Sequence, residues 1–375
     1  MKKKLLIFHP ALAPYRVDQF NAISQLFDLE VVFVFDNVWN HKFDQSKLLP
    51  QLRFKYSFLL KGPFYKGRVF RFGILKTIRH IKPDIIIGFE YSFTTQYLIL
   101  LRRFGFIRQK IGSTIDDSLE ICNHVQSRSR YFARKRTVKN LDFLVVLSKE
   151  VSQFYQDTFK LKEEQLVISP IFQEAERLRN NADQLQKIAY ENIDKFGLKD
   201  KKVLLFVGRF IIEKAVPRFI KSINKLLEKE EDIVLVLVGD GADIQNINFE
   251  IKETHLEKKV LLPGRFEGDQ LYAWYLCASG FVLPSTYEPF GAVVNEALIF
   301  GLKVLCSKYA GSSYLVDSKK GLLFDPLNET ETLEMTTQFL NLIEPVGKAI
   351  LKDRPSLFVD DKENFTTQWK KIMYG

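Results

Sequence analysis

Apolar residues in the first half of the chain come in short runs, separated by stretches where they recur every three or four positions. Lys4–Phe8 is such a run, followed by a Pro-containing loop, and Val17–Phe27 carries apolar residues at helical spacing, so the chain opens as strand, loop, helix. Strand-like Leu29–Phe35 follows. Arg71–Ile81 reads as a helix leading through Pro83 into a strand at Asp84–Phe89, and the strand Phe143–Leu147 comes after a basic helical segment. This alternation predicts a parallel sheet covered by helices on both faces. After Leu166–Ser169, a polar helical stretch at Glu174–Lys195 runs into Gly197 and the charged residues Lys199, Asp200, Lys201 and Lys202, where a domain boundary is expected. The alternation then restarts with the strand Lys202–Val207, the helix Pro217–Glu228 and the strand Ile233–Val238. Val260–Leu262, Gly280–Leu283 and Leu302–Cys306 supply further strands. The expected architecture is α/β: two doubly wound parallel-sheet domains facing across a cleft, with functional residues in the loops after strands. The expected extents are 1–196 and 197–358, with 359–375 forming a C-terminal helix, centred on Phe365–Met373, that crosses back to the first domain.

A length of 375 residues suits two domains that each bury a core. With 46% hydrophobic and 27% charged residues, the composition is that of a folded enzyme rather than a disordered or repeat protein. The longest apolar runs, Val31–Phe35 and Ile233–Val238, fall far short of the roughly 20 residues that span a bilayer. Lys2, Lys3 and Lys4 precede an apolar stretch as in a signal peptide, but His9, Pro10 and Arg16 interrupt it, so it is expected to be the first strand. Cys122, Cys277 and Cys306 are too few and too scattered for a disulfide framework or a zinc site, which points to a reducing cytoplasm.

Charge changes the picture. Residues 1–160 hold 27 Lys and Arg against 13 Asp and Glu, a net +14, whereas the remaining 215 residues sum to −4. The cations concentrate at Arg102, Arg103, Arg108 and Lys110, and again at Arg128, Arg130, Arg134, Lys135, Arg136 and Lys139. Such a surface favours an anionic partner: an acidic leaflet, a lipid diphosphate or nucleic acid. An ordinary solvated basic helix is the alternative.

The densest motif is Pro284-Ser285-Thr286-Tyr287-Glu288-Pro289-Phe290-Gly291, running into Ala292–Phe300. It reads as a strand end, a tight loop and a helix start, with Pro289 at the first helical position, and free N–H groups at such a start suit a diphosphate. Glu296 lies eight residues after Glu288, about 12 Å along a helix at about 1.5 Å per residue, so one carboxylate would meet a donor sugar and the other a ribose. Glu288 also reads as a helix-capping acid, and the two roles are compatible. Phe206-Val207-Gly208-Arg209 with Lys214 downstream, Val238-Gly239-Asp240-Gly241, Leu262-Pro263-Gly264 and Gly321-Leu322-Leu323-Phe324-Asp325-Pro326 complete an ordered series.

On these motifs the C-terminal half resembles glycosyltransferase family 4 and its group 1 relatives, whose hallmark is two glutamates separated by seven residues. The resemblance implies a GT-B fold and a retaining glycosyltransferase that moves a sugar from a nucleotide-diphosphate sugar. It further implies that Gly208, Arg209, Lys214, Asp240, Gly264, Arg265, Glu288, Phe290, Gly291 and Glu296 bind the donor. Of these, Arg209 and Lys214 would stabilise the leaving diphosphate, and Glu288 would orient the sugar. The rigid donor fork of arginine and the compact charge of lysine suit phosphate independently of the family. Departures are also present. Ala215 stands where the family often has glycine, Tyr314 stands in place of an expected acid, and the loop His9–Arg16 and the segment Ser113–Asp117 lack the family's glycines and histidine. Arg16, Glu90, Asp116 and Asp117, in loops after N-terminal strands, are the acceptor-side candidates, while His9 reads as a satisfied loop residue.

The resemblance implies no metal and no cofactor besides the donor. The expected acceptor is a glycan or lipid-linked molecule in bacterial polysaccharide or glycoconjugate assembly, handled in the cytoplasm or at the inner face of the membrane, with nucleic acid not the expected partner. The rival readings are a nucleotide-sugar epimerase on the same fold and a non-catalytic binding protein that uses the basic half.

Overall fold

A computed structural model describes residues 2–38, 42–65, 68–123, 127–347, 354–359 and 362–374. The chain divides into two compact units, Met1–Gln173 with Asp361–Gly375, and Glu174–Asp360.

The first unit contains β1 (Lys4–His9), β2 (Asp28–Phe33), β3 (Lys55–Phe58), the short antiparallel pair β4 (Phe64–Tyr65) and β5 (Arg68–Val69), β6 (Ile85–Phe89), β7 (Lys110–Ile115), β8 (Phe143–Val146) and β9 (Leu166–Ile168). Seven of these strands form one parallel sheet in the order β3-β2-β1-β6-β7-β8-β9. Its centre is apolar on both faces, as a sheet covered twice requires: Leu5, Leu6, Ile7 and Phe8 of β1 are buried, and Leu5 sits in register with Leu29 on one side and Ile85 on the other. Gly112 of β7 has a packing reason, since a Cβ there would stand 2.3 Å from the Phe143 ring on the neighbouring strand. The chain moves outward from β1 to β3 and then returns to pair β6 on the other side of β1. The sheet therefore reverses direction between β1 and β6, where α/β sheets open a crevice for ligands.

The helix Lys362–Tyr374 belongs to this unit. Its buried Trp369 donates from Nε1 to Ser169 Oγ at 3.0 Å and sets its ring edge-on to Phe27, while Gln368 accepts from the Ile168 amide at 3.1 Å.

The second unit holds β10 (Lys202–Val207), β11 (Ile233–Val238), β12 (Val260–Gly264), β13 (Gly280–Leu283), β14 (Lys303–Ser307) and β15 (Gly321–Phe324), parallel in the order β12-β11-β10-β13-β14-β15. Here the reversal falls between β10 and β13. The division between units lies at Gln173/Glu174, not after residue 196. The helix Ala182–Phe196 buries Leu185, Ile188, Ala189 and Ile193 in the second core, and it ends on Gly197 in the left-handed conformation that closes helices. Near the expected 358/359 boundary, residues 348–353, 360 and 361 lie outside the described residues. Among the described residues no helix is long and apolar enough to cross a membrane.

Candidate active site

In the second unit the loops after β10, β11 and β12 are laced by backbone hydrogen bonds. The Gly208 amide donates to Val238 O at 3.0 Å, Phe210 to Asp240 O at 2.6 Å, and Gly239 to Gly264 O at 3.0 Å. Gly239 and Gly241 permit this lacing, because their φ values are 153° and 151° and a Cβ would stand 1.9 Å from Gly208 O and 2.2 Å from Phe210 O. Arg265 bridges two of these loops, 2.5 Å from Glu267 and 3.6 Å from Asp240. Arg209 stands exposed at the end of β10.

The loops after β10 and β13 are stitched in turn. Glu213 O accepts from the Thr286 amide at 2.9 Å, drawing the turn Ile212–Lys214 against the loop that carries Glu288. Lys214 Nζ consequently forms an ion pair with Glu288 Oε2, and both side chains are almost nine-tenths covered. The family resemblance assigns these two residues to different parts of the donor, and nothing in the sequence signals that they meet. A Cβ on Gly208 would lie 3.8 Å from Lys214 Cε, so this glycine belongs to the same corner.

The helix that follows starts at Ala292, with Gly291 as its N-cap at φ 90° and no side-chain cap. Glu288 and Glu296 therefore do not occupy one helical stretch, Pro289 is not the first helical residue, and Glu288 does not cap the helix. Three loop residues intervene, because Gly291 is pressed between Ser312 and Leu283, where only glycine fits: a Cβ would stand 2.9 Å from Ser312 Oγ, 3.0 Å from Leu283 Cδ2 and 3.2 Å from Glu288 Cγ. The first amides of an uncapped helix point outward, so a bare N-terminus lies next to Glu288. Gly311 holds the floor of this loop through its amide bond to Glu288 O at 3.0 Å. Phe290 is buried beside Tyr314, their ring centroids 6.5 Å apart. Glu296 is 6% exposed and accepts a 2.7 Å bond from Tyr275, whose own ring stacks on Phe300. Nothing in the sequence marks Tyr275, one of two tyrosines on the helix Asp269–Leu276. Burial, followed by the nearby Glu288 carboxylate, raises the Cys306 thiol well above its ordinary range, so this cysteine is inert.

Ala215, where a glycine was noted as frequent, adopts φ 50°, ψ 31°. It is a left-handed non-glycine residue at the head of the helix Val216–Lys229, and it carries backbone strain there.

In the first unit the four acceptor-side candidates gather at the carboxyl edge of β1, β6 and β7. Arg16 is buried, donates to Gln19 Oε1 at 2.5 Å and pairs with Asp116. Asp117 pairs with Arg134 at 3.1 Å, and the Arg134 guanidinium lies 5.0 Å over the Tyr91 ring. Arg134 was counted among the surface cations, whereas the fold turns it inward; nothing in its local spacing marks it. Glu90 follows β6 at φ 44°, held by its amide bond to Thr114 O and by Ser113 Oγ donating to its carbonyl at 2.8 Å. Its side chain reaches solvent, yet crowding by the protein, then the carboxylates of Asp116 and Asp117, push its carboxyl up to about 7, against the opposing pull of Arg134 and Arg16. His9 bonds Ala11 O and packs on Phe20; burial, then Arg16, drop its imidazole to about 3, so it stays neutral.

Residues 190–344 match the protein family described as glycosyl transferases group 1. The chain is 24% identical over 350 residues to an uncharacterized glycosyltransferase of Methanocaldococcus jannaschii, a match covering 80% of this chain and 82% of that protein. It is 31% identical over 156 residues, 41% of each chain, to the Campylobacter jejuni N-acetylgalactosamine-N,N'-diacetylbacillosaminyl-diphospho-undecaprenol 4-alpha-N-acetylgalactosaminyltransferase. The matches to the first two curated relatives cover 28% and 39% of their lengths. In fold, the chain is similar to HepE from Anabaena, solved in complex with UDP, with a TM-score of 0.72 at 16% identity and 99% of each chain covered. Residues 190–344, within the second unit, thus match the group 1 glycosyl transferases, and the whole chain is similar in fold to solved GT-B proteins.

Proposed function

We propose that the protein transfers a sugar, with retention of its anomeric configuration, from a nucleoside-diphosphate donor held by the second unit to an acceptor hydroxyl bound by the first. The observation that carries this reading is the corner formed by the loops after β10 and β13, where Lys214 and Glu288 meet beside the uncapped start of the helix Ala292–Ile299. Outward amides and a partly buried cation suit a diphosphate, and they stabilise negative charge as the leaving group departs. Arg209, exposed at the end of β10, adds a second cation. When the diphosphate engages Lys214, the Glu288 carboxylate is released to hydrogen-bond the hydroxyls of the donor sugar. Glu296, with one oxygen already committed to Tyr275, has its orientation fixed for the ribose. Gly264 and Arg265, at the end of β12, would meet the nucleobase, with Asp240 of the neighbouring loop beside Arg265.

On the acceptor side, Arg16 and Arg134 are each balanced by an aspartate, which leaves Glu90 as a carboxylate without an ion-pair partner among the described residues. Glu90 in its ionised form accepts the hydrogen bond of the incoming hydroxyl. A lipid-linked glycan is the acceptor class supported by the name of the Campylobacter relative.

Incubation with labelled UDP-, GDP- and ADP-sugars tests the assignment. Label moving into an acceptor with the donor's anomeric configuration supports it. An epimerised nucleotide sugar as sole product would replace it with the epimerase reading, and nucleotide binding without turnover would indicate a non-catalytic binding protein.

A further inference from the structure

The cations of the first unit divide into two groups that sequence position does not distinguish. On the helix Arg128–Lys139, Thr137 and Val138 are buried and Arg134 turns inward to Asp117. Arg128, Phe132, Lys135, Arg136 and Lys139 recur at intervals of four, three, one and three residues, which places them on one face. That face is the solvent side, with Phe132 64% exposed amid the four cations. Of the six cations on this helix, Arg134 turns inward and Arg130 lies on another face, about 200° from Arg128, so the other four make the stripe. The helix Phe93–Arg103 runs alongside, joined by Gln96 Nε2 donating to Thr137 Oγ1 at 2.9 Å and by Arg102 bound to Asp142 and Asn140. It presents Phe93, Leu100 and Phe104 on one face, all exposed, followed by exposed Phe106, Arg103 and Arg108.

Phe132, Phe104 and Phe106 leave much of their apolar surface in water among cations, and that surface would gain from burial in an apolar layer. They fit a surface that offers negative charge in front and hydrocarbon behind. We infer that the helices Phe93–Arg103 and Arg128–Lys139 dock the protein on an anionic lipid leaflet, with Phe132 and the Phe104–Phe106 turn entering the headgroup layer and the four cations of the stripe facing lipid phosphates. This goes beyond the sugar-transfer reading and does not depend on it.

Flotation of the full chain with vesicles of phosphatidylcholine alone, and of phosphatidylcholine mixed with phosphatidylglycerol, tests the inference. The expected result is recovery on the mixed vesicles only, weakening as salt rises because such attraction is screened over about 8 Å at physiological ionic strength. The combined variant Arg128→Ser, Lys135→Ser, Arg136→Ser and Lys139→Ser loses about fivefold in partition per cation, on the order of a hundredfold or more together. Phe132→Ser alone loses about tenfold. Unchanged nucleoside-diphosphate affinity and unfolding temperature show that the variants fold. Equal recovery on both vesicle types, undiminished recovery of the four-residue variant, or stronger retention on duplex DNA than on anionic vesicles at the same salt would overturn the inference.

Discussion

The two units build the same topological position from different materials. In the second unit, the crevice at the sheet reversal is built by glycines and main-chain bonds: Gly208, Gly239, Gly241 and Gly291 let four loops approach closely, and the chemistry narrows to one cation facing one carboxylate. In the first unit, the equivalent crevice holds two arginines, three carboxylates and a hydrogen-bonded tyrosine pair, Tyr91 with Tyr155. A site made of backbone and fixed turns suits a ligand with a constant part, such as a diphosphate. A site made of long side chains can be re-specified by changing one of them, which suits an acceptor that differs between relatives.

The largest effect that would sharpen this contrast is expected from Glu288→Gln. This change keeps the shape and removes the charge proposed to orient the sugar, so turnover should fall on the order of a hundredfold or more while nucleoside-diphosphate affinity changes little. Single-turnover rates compared with titration calorimetry separate the two quantities. Equal losses in both would give Glu288 to the nucleotide instead.

Next in size is Arg209→Ala, which removes an exposed cation without disturbing the core. Loss of one charge-assisted contact costs about 1.5 to 3 kcal/mol, roughly ten- to hundredfold in diphosphate affinity.

Glu90→Gln addresses the other unit. With its carboxyl raised to about 7, Glu90 is protonated below that pH and ionised above it, so turnover should climb as pH passes through about 7. The variant should be slow and flat across the same range. In stability the sign is opposite: a raised carboxyl favours the folded state when protonated, so this contribution is present below the ordinary value near 4.5 and is lost as pH rises through about 7. A pH profile unchanged in Glu90→Gln would dismiss its role.

The smallest expected effect is that of Ala215→Gly. Relief of a left-handed alanine should stabilise the second unit by about 1 kcal/mol in denaturant unfolding, with donor affinity unaltered.

The same contrast explains what was legible in the sequence. Lys202–Val207, Ile233–Val238 and Gly280–Leu283 match their strands residue for residue, because a strand buried on both faces is a nearly unbroken apolar run, here stopped by Gly208, Gly239 and Pro284. The apolar pattern does not show β7: Lys110, Gly112, Ser113 and Thr114 dilute it, and the buried Ser113 is satisfied by donating a hydrogen bond to Glu90 O, a partner 23 residues away. The edge strand β3, the hairpin β4–β5, and the helices Phe93–Arg103, Lys149–Phe159, Ile244–Glu253 and Glu329–Leu340 likewise went unassigned, their faces being mixed. The loops after β10, β11 and β13 could be found as motifs because glycine requirements are local. The pairing of Lys214 with Glu288, and of Arg134 with Asp117, joins distant segments and leaves no spacing to read.

The central claim is that the second unit holds the nucleotide and the first does not. Titration calorimetry with UDP, GDP and ADP on the wild type, Arg209→Ala and Glu90→Gln tests it most directly. The account predicts that one nucleotide binds the wild type, that Arg209→Ala weakens it roughly ten- to hundredfold, and that Glu90→Gln leaves it within about twofold. Undiminished affinity in Arg209→Ala together with a large loss in Glu90→Gln would contradict the account.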